Sequence, residues 1–142
     1  MFKFLKKKNN ENNNSNHLIL KTASLLIYAA KIDENYSDIE KKIIKETILS
    51  LDPQINNVEK LISDAEIQEK NSNQILEFTK EIKNADETFK IKIIETLWKI
   101  IYSNNEVDMY ESNLMRRLSG LLYLDNKLVS EIKEKIKKDL KK

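Results

Sequence analysis

Two stretches of the chain crowd oxygen-bearing side chains into a few residues. The first runs Asp33-Glu34-Asn35-Tyr36-Ser37-Asp38-Ile39-Glu40, the second Asn104-Asn105-Glu106-Val107-Asp108-Met109-Tyr110-Glu111. Hard cations such as Ca²⁺ and Mg²⁺ take carboxylate and carbonyl oxygens, so Asp33, Asp38, Glu40, Asn104, Glu106, Asp108 and Glu111 are candidate ligands for either ion. Neither stretch has the EF-hand spacing, which needs carboxylates at alternate positions and a sharp glycine turn. The same residues have a simpler use. Ser37-x-x-Glu40 and Asp108-x-x-Glu111 are capping boxes, in which the first side chain accepts from an early helix N–H and the glutamate reaches back to the cap's own N–H. Such a cap stabilises a helix by about 1 kcal/mol. Capping and cation binding both stand as readings of these loops.

Other chemistry is sparse. There is no cysteine, which removes disulfides, thiolate metal sites and thiol nucleophiles and suits a reducing compartment. His17 is the only histidine, and one imidazole without a second soft ligand builds no transition-metal site. No glycine-rich phosphate loop and no nucleophile–base–acid set occurs, so no catalytic residue is expected and the chain reads as a binding module, not an enzyme. Arg116-Arg117 is the only arginine pair. Trp98, Tyr102, Tyr110 and Tyr28 fall at helical spacing, where core packing is the ordinary use.

Charge is unevenly placed. Residues 1–16 carry +3 and residues 127–142 carry +4, which leaves −5 for the body of a chain whose net charge is +2. At the start, Phe2, Lys3, Phe4, Leu5, Lys6, Lys7 and Lys8 make a short basic and aromatic tip, a candidate for weak contact with the anionic inner face of a membrane. It has no long apolar region or cleavage site, so it is not expected to be a secretory signal. The basic C-terminal segment is interrupted by Glu131, Glu134 and Asp139, and no nucleic-acid motif is present, so nucleic acid is not an expected partner. The longest apolar run, Leu25–Ala30, is far short of the roughly 20 residues that a membrane span needs. The expected location is cytoplasmic.

These residues must be positioned by helices. A single glycine, a single proline and 34% charged residues leave little material for the turns of a sheet protein. Residues 9–16 are a polar, asparagine-rich linker, which sets residues 1–16 apart from a domain over 17–142. Helical periodicity predicts about seven helices, over roughly 18–31, 37–51, 55–69 and 73–83, then one that opens after Asp86 and carries apolar residues through Ile101, then 108–122 and 126–140. The first and fifth are apolar nearly all round and should be central. The second should bury Ile39, Ile43, Thr47 and Leu51, and the seventh Leu128, Ile132, Ile136 and Leu140.

An internal repeat organises them. A shift of 71 residues lays Leu26–Leu51 on Leu97–Leu122, with Ser37 on Asp108, Glu40 on Glu111 and Ile43 on Leu114. Each copy is an apolar helix, a polar loop and a capped amphipathic helix. Two matched hairpins can cover each other's apolar faces, which predicts one compact all-α bundle with a pseudo-twofold core.

On these residues the chain resembles the TerB family of tellurite-resistance proteins and the related region of DjlA co-chaperones. That family carries Ala-Asp-Gly followed after five residues by Glu, twice. Here the loops read Ile32-Asp33-Glu34 with Glu40 and Ser103-Asn104-Asn105 with Glu111, and the stretch Val107–Leu118 is the best match. Both family glycines are replaced, by Glu34 and Asn105, and the second aspartate is Asn104. The histidine-proline-aspartate signature of a co-chaperone J-domain is absent. The resemblance covers about residues 17–140. It implies an all-α domain tied to tellurite resistance and stress, acting through a protein partner.

Overall fold

The computed structural model describes residues 17–32, 36–72, 74–103 and 109–140, with side chains from residue 112 in the last segment. Over these residues the chain is helical, and none of them lies in a strand. The helices are α1 (17–30), α2 (Asp38–Leu51), α3 (Val58–Asn71), α4 (Leu76–Ile82), α5 (Glu87–Tyr102), α6 (Met109–Leu121) and α7 (Asn126–Leu140).

The two helices with least polar surface are the innermost. In α1, Ile19, Thr22–Ile27, Ala29 and Ala30 are buried, and in α5 the buried set runs from Lys90 to Ile101. Complete burial of a Leu or Ile side chain stabilises by about 1.5–3 kcal/mol, so these two helices carry much of the folding free energy. Around them α2 and α7 pack on α5, α3 packs on α2, α7 on α6 and α4 on α6. Four buried hydroxyls of α1, α2 and α5 are satisfied within their own helices. Thr22 donates to Leu18 O and Ser24 to Leu20 O, while Thr47 and Thr96 reach Ile43 O and Lys92 O. Thr47 Oγ1 and Thr96 Oγ1 meet at 3.0 Å where α2 crosses α5, so either can donate to the other in place of its own helix carbonyl. This removes the cost of an unpaired hydroxyl in the core.

Burial recurs at the 71-residue spacing. Leu26, Ile27, Ala29 and Ala30 are buried, and so are Leu97, Trp98, Ile100 and Ile101. Ile44, Thr47 and Ile48 of α2 are buried, as are Met115, Leu118 and Ser119 of α6.

Two expected faces are corrected. In α2 the fully buried residues are Glu40, Ile44, Thr47 and Ile48; Thr47 is buried as expected, Ile43 and Leu51 are half-buried against the core, and Ile39 is 64% exposed. The helix carries enough isoleucine for two adjacent stripes, and its cap selects one: Glu40 turns inward to reach Ser37, which carries positions four, seven and eight residues later into the core. In α7 the buried residues are Val129, Ile132 and Ile136, with Leu140 55% exposed at the helix end.

The α6–α7 turn carries the one positive φ among described non-glycine residues, Tyr123 at 59°. Leu124 N donates to Ser119 O at 2.8 Å and Tyr123 N to Gly120 O at 3.2 Å, the paired bonds of a Schellman C-cap. A left-handed residue is ordinarily glycine there, and a tyrosine bears strain of about 1 kcal/mol. Lys83 Nζ and Lys90 Nζ stand 5.7 and 5.9 Å from its ring centroid. Cation–π attraction to two ammonium groups offsets part of that strain.

Candidate functional site

The residues with the densest chemistry lie where α1 ends, α2 begins and α3 passes beside them. The capping box expected at Ser37 is present. Glu40 N donates to Ser37 Oγ at 3.2 Å, and Glu40 Oε1 accepts from Ser37 N at 2.9 Å and Ser37 Oγ at 3.1 Å. Glu40 is 1% exposed, so this is a buried carboxylate held by a serine at the head of a helix. The helix dipole favours negative charge there.

Tyr36 precedes the cap and is half-buried, and its hydroxyl is shielded from solvent with no hydrogen-bond partner among the described residues. Burial raises its pKa well above the ordinary tyrosine value, and the carboxylates of Glu66, Glu40 and Glu69 raise it further. Tyr36 therefore stays a neutral donor. Two lysines offset the acidic surround: Lys31 Nζ pairs with Glu69 Oε2 at 2.8 Å, and Lys41 Nζ with Glu66 Oε1 at 3.3 Å. Lys31 also stands 5.9 Å from the Tyr36 ring centroid.

Of the candidate cation ligands, Asp38 is exposed on the first turn of α2 and Glu40 is buried in its cap. Asp33, Asn104, Glu106 and Asp108 lie outside the described residues, as does the side chain of Glu111. Among the described residues no three His, Cys, Asp or Glu side chains are grouped to hold a metal. The basic tip, Phe2 to Lys8, and the linker also lie outside them. No helix among the described residues is long and apolar enough to cross a membrane. His17 Nε2 meets Glu81 Oε1 at 2.6 Å, so the lone histidine ties α1 to α4.

Sequence reasoning missed Tyr36, Glu66 and Glu69. Tyr36 sits next to a recognised cap, but the two glutamates come from α3, and only the α2–α3 packing brings them to the tyrosine. Further along the same packing, Lys45 pairs with Glu59 across the solvent side of the seam, and hydrogen bonding to Lys45 together with its charge holds the Glu59 carboxyl below its usual range.

A second built region lies between α6 and α7, where a cleft of about 370 Å³ opens above Trp98. Trp98 Nε1 donates to Val129 O at 3.2 Å, and Lys133 Nζ lies 5.3 Å from the indole centroid.

Compared with known proteins, residues 19–134 match a family model described as tellurite resistance protein TerB. No curated protein and no solved structure matches the chain.

Proposed function

The chain belongs to the TerB family, and from that membership we propose that it is a non-catalytic binding module of a tellurite-linked stress response, engaging a protein partner through the acidic head of α2 under the influence of a divalent cation. The observation that carries this reading is the buried Glu40, which shares its surroundings with a neutral Tyr36 donor and two further glutamates. Such a set can answer a partner's donor by exchanging one hydrogen bond for another, and the exposed Asp38 on the same turn is the oxygen ligand open to a cation. The family's association with tellurite supports the context of the function and assigns no reaction.

The test is a Ca²⁺ and Mg²⁺ titration followed by amide NMR shifts, on the native chain and on Glu40→Gln and Glu111→Gln variants. Glutamine at the third helical position still closes a capping box, so Glu40→Gln removes charge while keeping the cap. Saturable shifts centred on residues 33–40 and 104–111, weakened in the variants, are the expected result. Flat spectra at millimolar metal would leave these residues as caps and remove the cation from the proposal.

A further inference from the structure

The 71-residue spacing sets Lys45 of α2 against Arg116 of α6. Lys45 is ion-paired with Glu59 where α2 meets α3. Where α6 meets α7, Arg116 instead borders a cleft of about 370 Å³ that Ser130 and Lys133 of α7 also line.

Its polar lining is made of donors. Arg116 and Lys133 face it with Ser112, Ser130 and Asn126, above Trp98, and none of the residues that line it is a carboxylate. Neither cation is ion-paired among the described residues. Two like charges sharing a seam repel each other, and an anion between them reverses the sign of that interaction. The ring beneath Lys133 holds its ammonium at the cleft. Arg116 adds a planar fork suited to two oxygens at once, and the volume suits a small molecule.

We propose that this cleft binds a phosphate group, on inorganic phosphate or on a small phosphate monoester. The site is separate from the acidic head of α2 and does not depend on a cation there.

Trp98 is the only tryptophan in the chain, so its fluorescence reports on this cleft alone. The experiment titrates the full chain with inorganic phosphate and with glycerol phosphate, against chloride at matched ionic strength, and maps amide shifts in parallel. The expected result is a saturable fluorescence change absent in chloride, with shifts centred on residues 112–116 and 126–133. Arg116→Gln and Lys133→Gln should each weaken binding about tenfold or more, since each removes a charged donor. Neither residue is in the core, so an unchanged spectrum without ligand shows that each variant is folded. Tighter binding of the monoester would identify an esterified ligand using the Met115 and Val129 wall. Equal affinities would identify the phosphate group as the whole ligand. A response matched by chloride, shifts centred elsewhere, or affinity unchanged in both variants would overturn the proposal.

Discussion

The α2–α3 seam and the α6–α7 seam hold equivalent places in the chain and are finished differently. In the first, Lys45 and Glu59 close the outside, Ile62 fills the inside, and Glu66 and Glu69 continue along α3 toward Tyr36. In the second, Arg116, which matches Lys45, lines a cleft together with Ser130 and Lys133, and the seam is open and cationic. The helices beneath bury matching positions in both copies. Interior sites tolerate little change in volume or polarity, whereas a seam between two surface helices can exchange an ion pair for a cleft at small cost. The copies have thus kept their packing and diverged in charge.

The largest expected effect tests the shared packing. Leu26→Ala and Leu97→Ala remove equivalent, fully buried side chains and should each cost about 2–5 kcal/mol in urea denaturation. A large loss at one position and almost none at the other would break the equivalence of the two copies. Next, Ser130→Glu combined with Lys133→Ile sets a carboxylate in the second seam and removes one of its two cations. Phosphate response at Trp98 should fall at least about tenfold, since the anion loses one charged donor and meets a carboxylate. Retained affinity would show that the seam difference has no part in binding.

Smaller effects belong to the first copy. Ser37→Ala should cost about 1 kcal/mol by removing the acceptor for Glu40 N, read as a lowered denaturation midpoint. Tyr36→Phe tests the alkaline side. The folded pKa of Tyr36 is raised, so its contribution is complete below the ordinary tyrosine value and is lost as pH rises toward the folded one. Phenylalanine should remove the part of that alkaline decline due to Tyr36, leaving the share of Tyr102, whose pKa burial and Glu134 also raise. The smallest effect is at Glu59, whose folded pKa is depressed. Its contribution is present above the ordinary glutamate value and lost as pH falls through the folded one, so Glu59→Gln should remove a slight, salt-sensitive acid slope.

The helices were legible because apolar periodicity is local. The starts of α2 and α5 and the end of α7 fall within a residue of where Ser37, Asp86 and the Leu128-to-Leu140 spacing put them. The α2 face was misread because its isoleucines allow two stripes and the deciding residue is a buried glutamate, which a hydrophobic pattern does not count. The cap at Ser37 could be read from four consecutive residues. The carboxylates around Tyr36 could not, because they come from another helix. The α6–α7 cleft was not legible, because Arg116, Ser130 and Lys133 come from two helices and look like ordinary surface residues until α6 and α7 are packed together.

The strained turn at Tyr123 bears on how fast such a cleft could be filled. The turn joining α6 to α7 has its one left-handed residue beside Lys83 and Lys90, and contacts that hold this turn would set the aperture between the two helices before any anion arrives. Arrival at a preformed aperture is governed by diffusion and long-range attraction, with no opening step to wait for. Added salt should therefore slow association much more than it changes the lifetime of the bound anion.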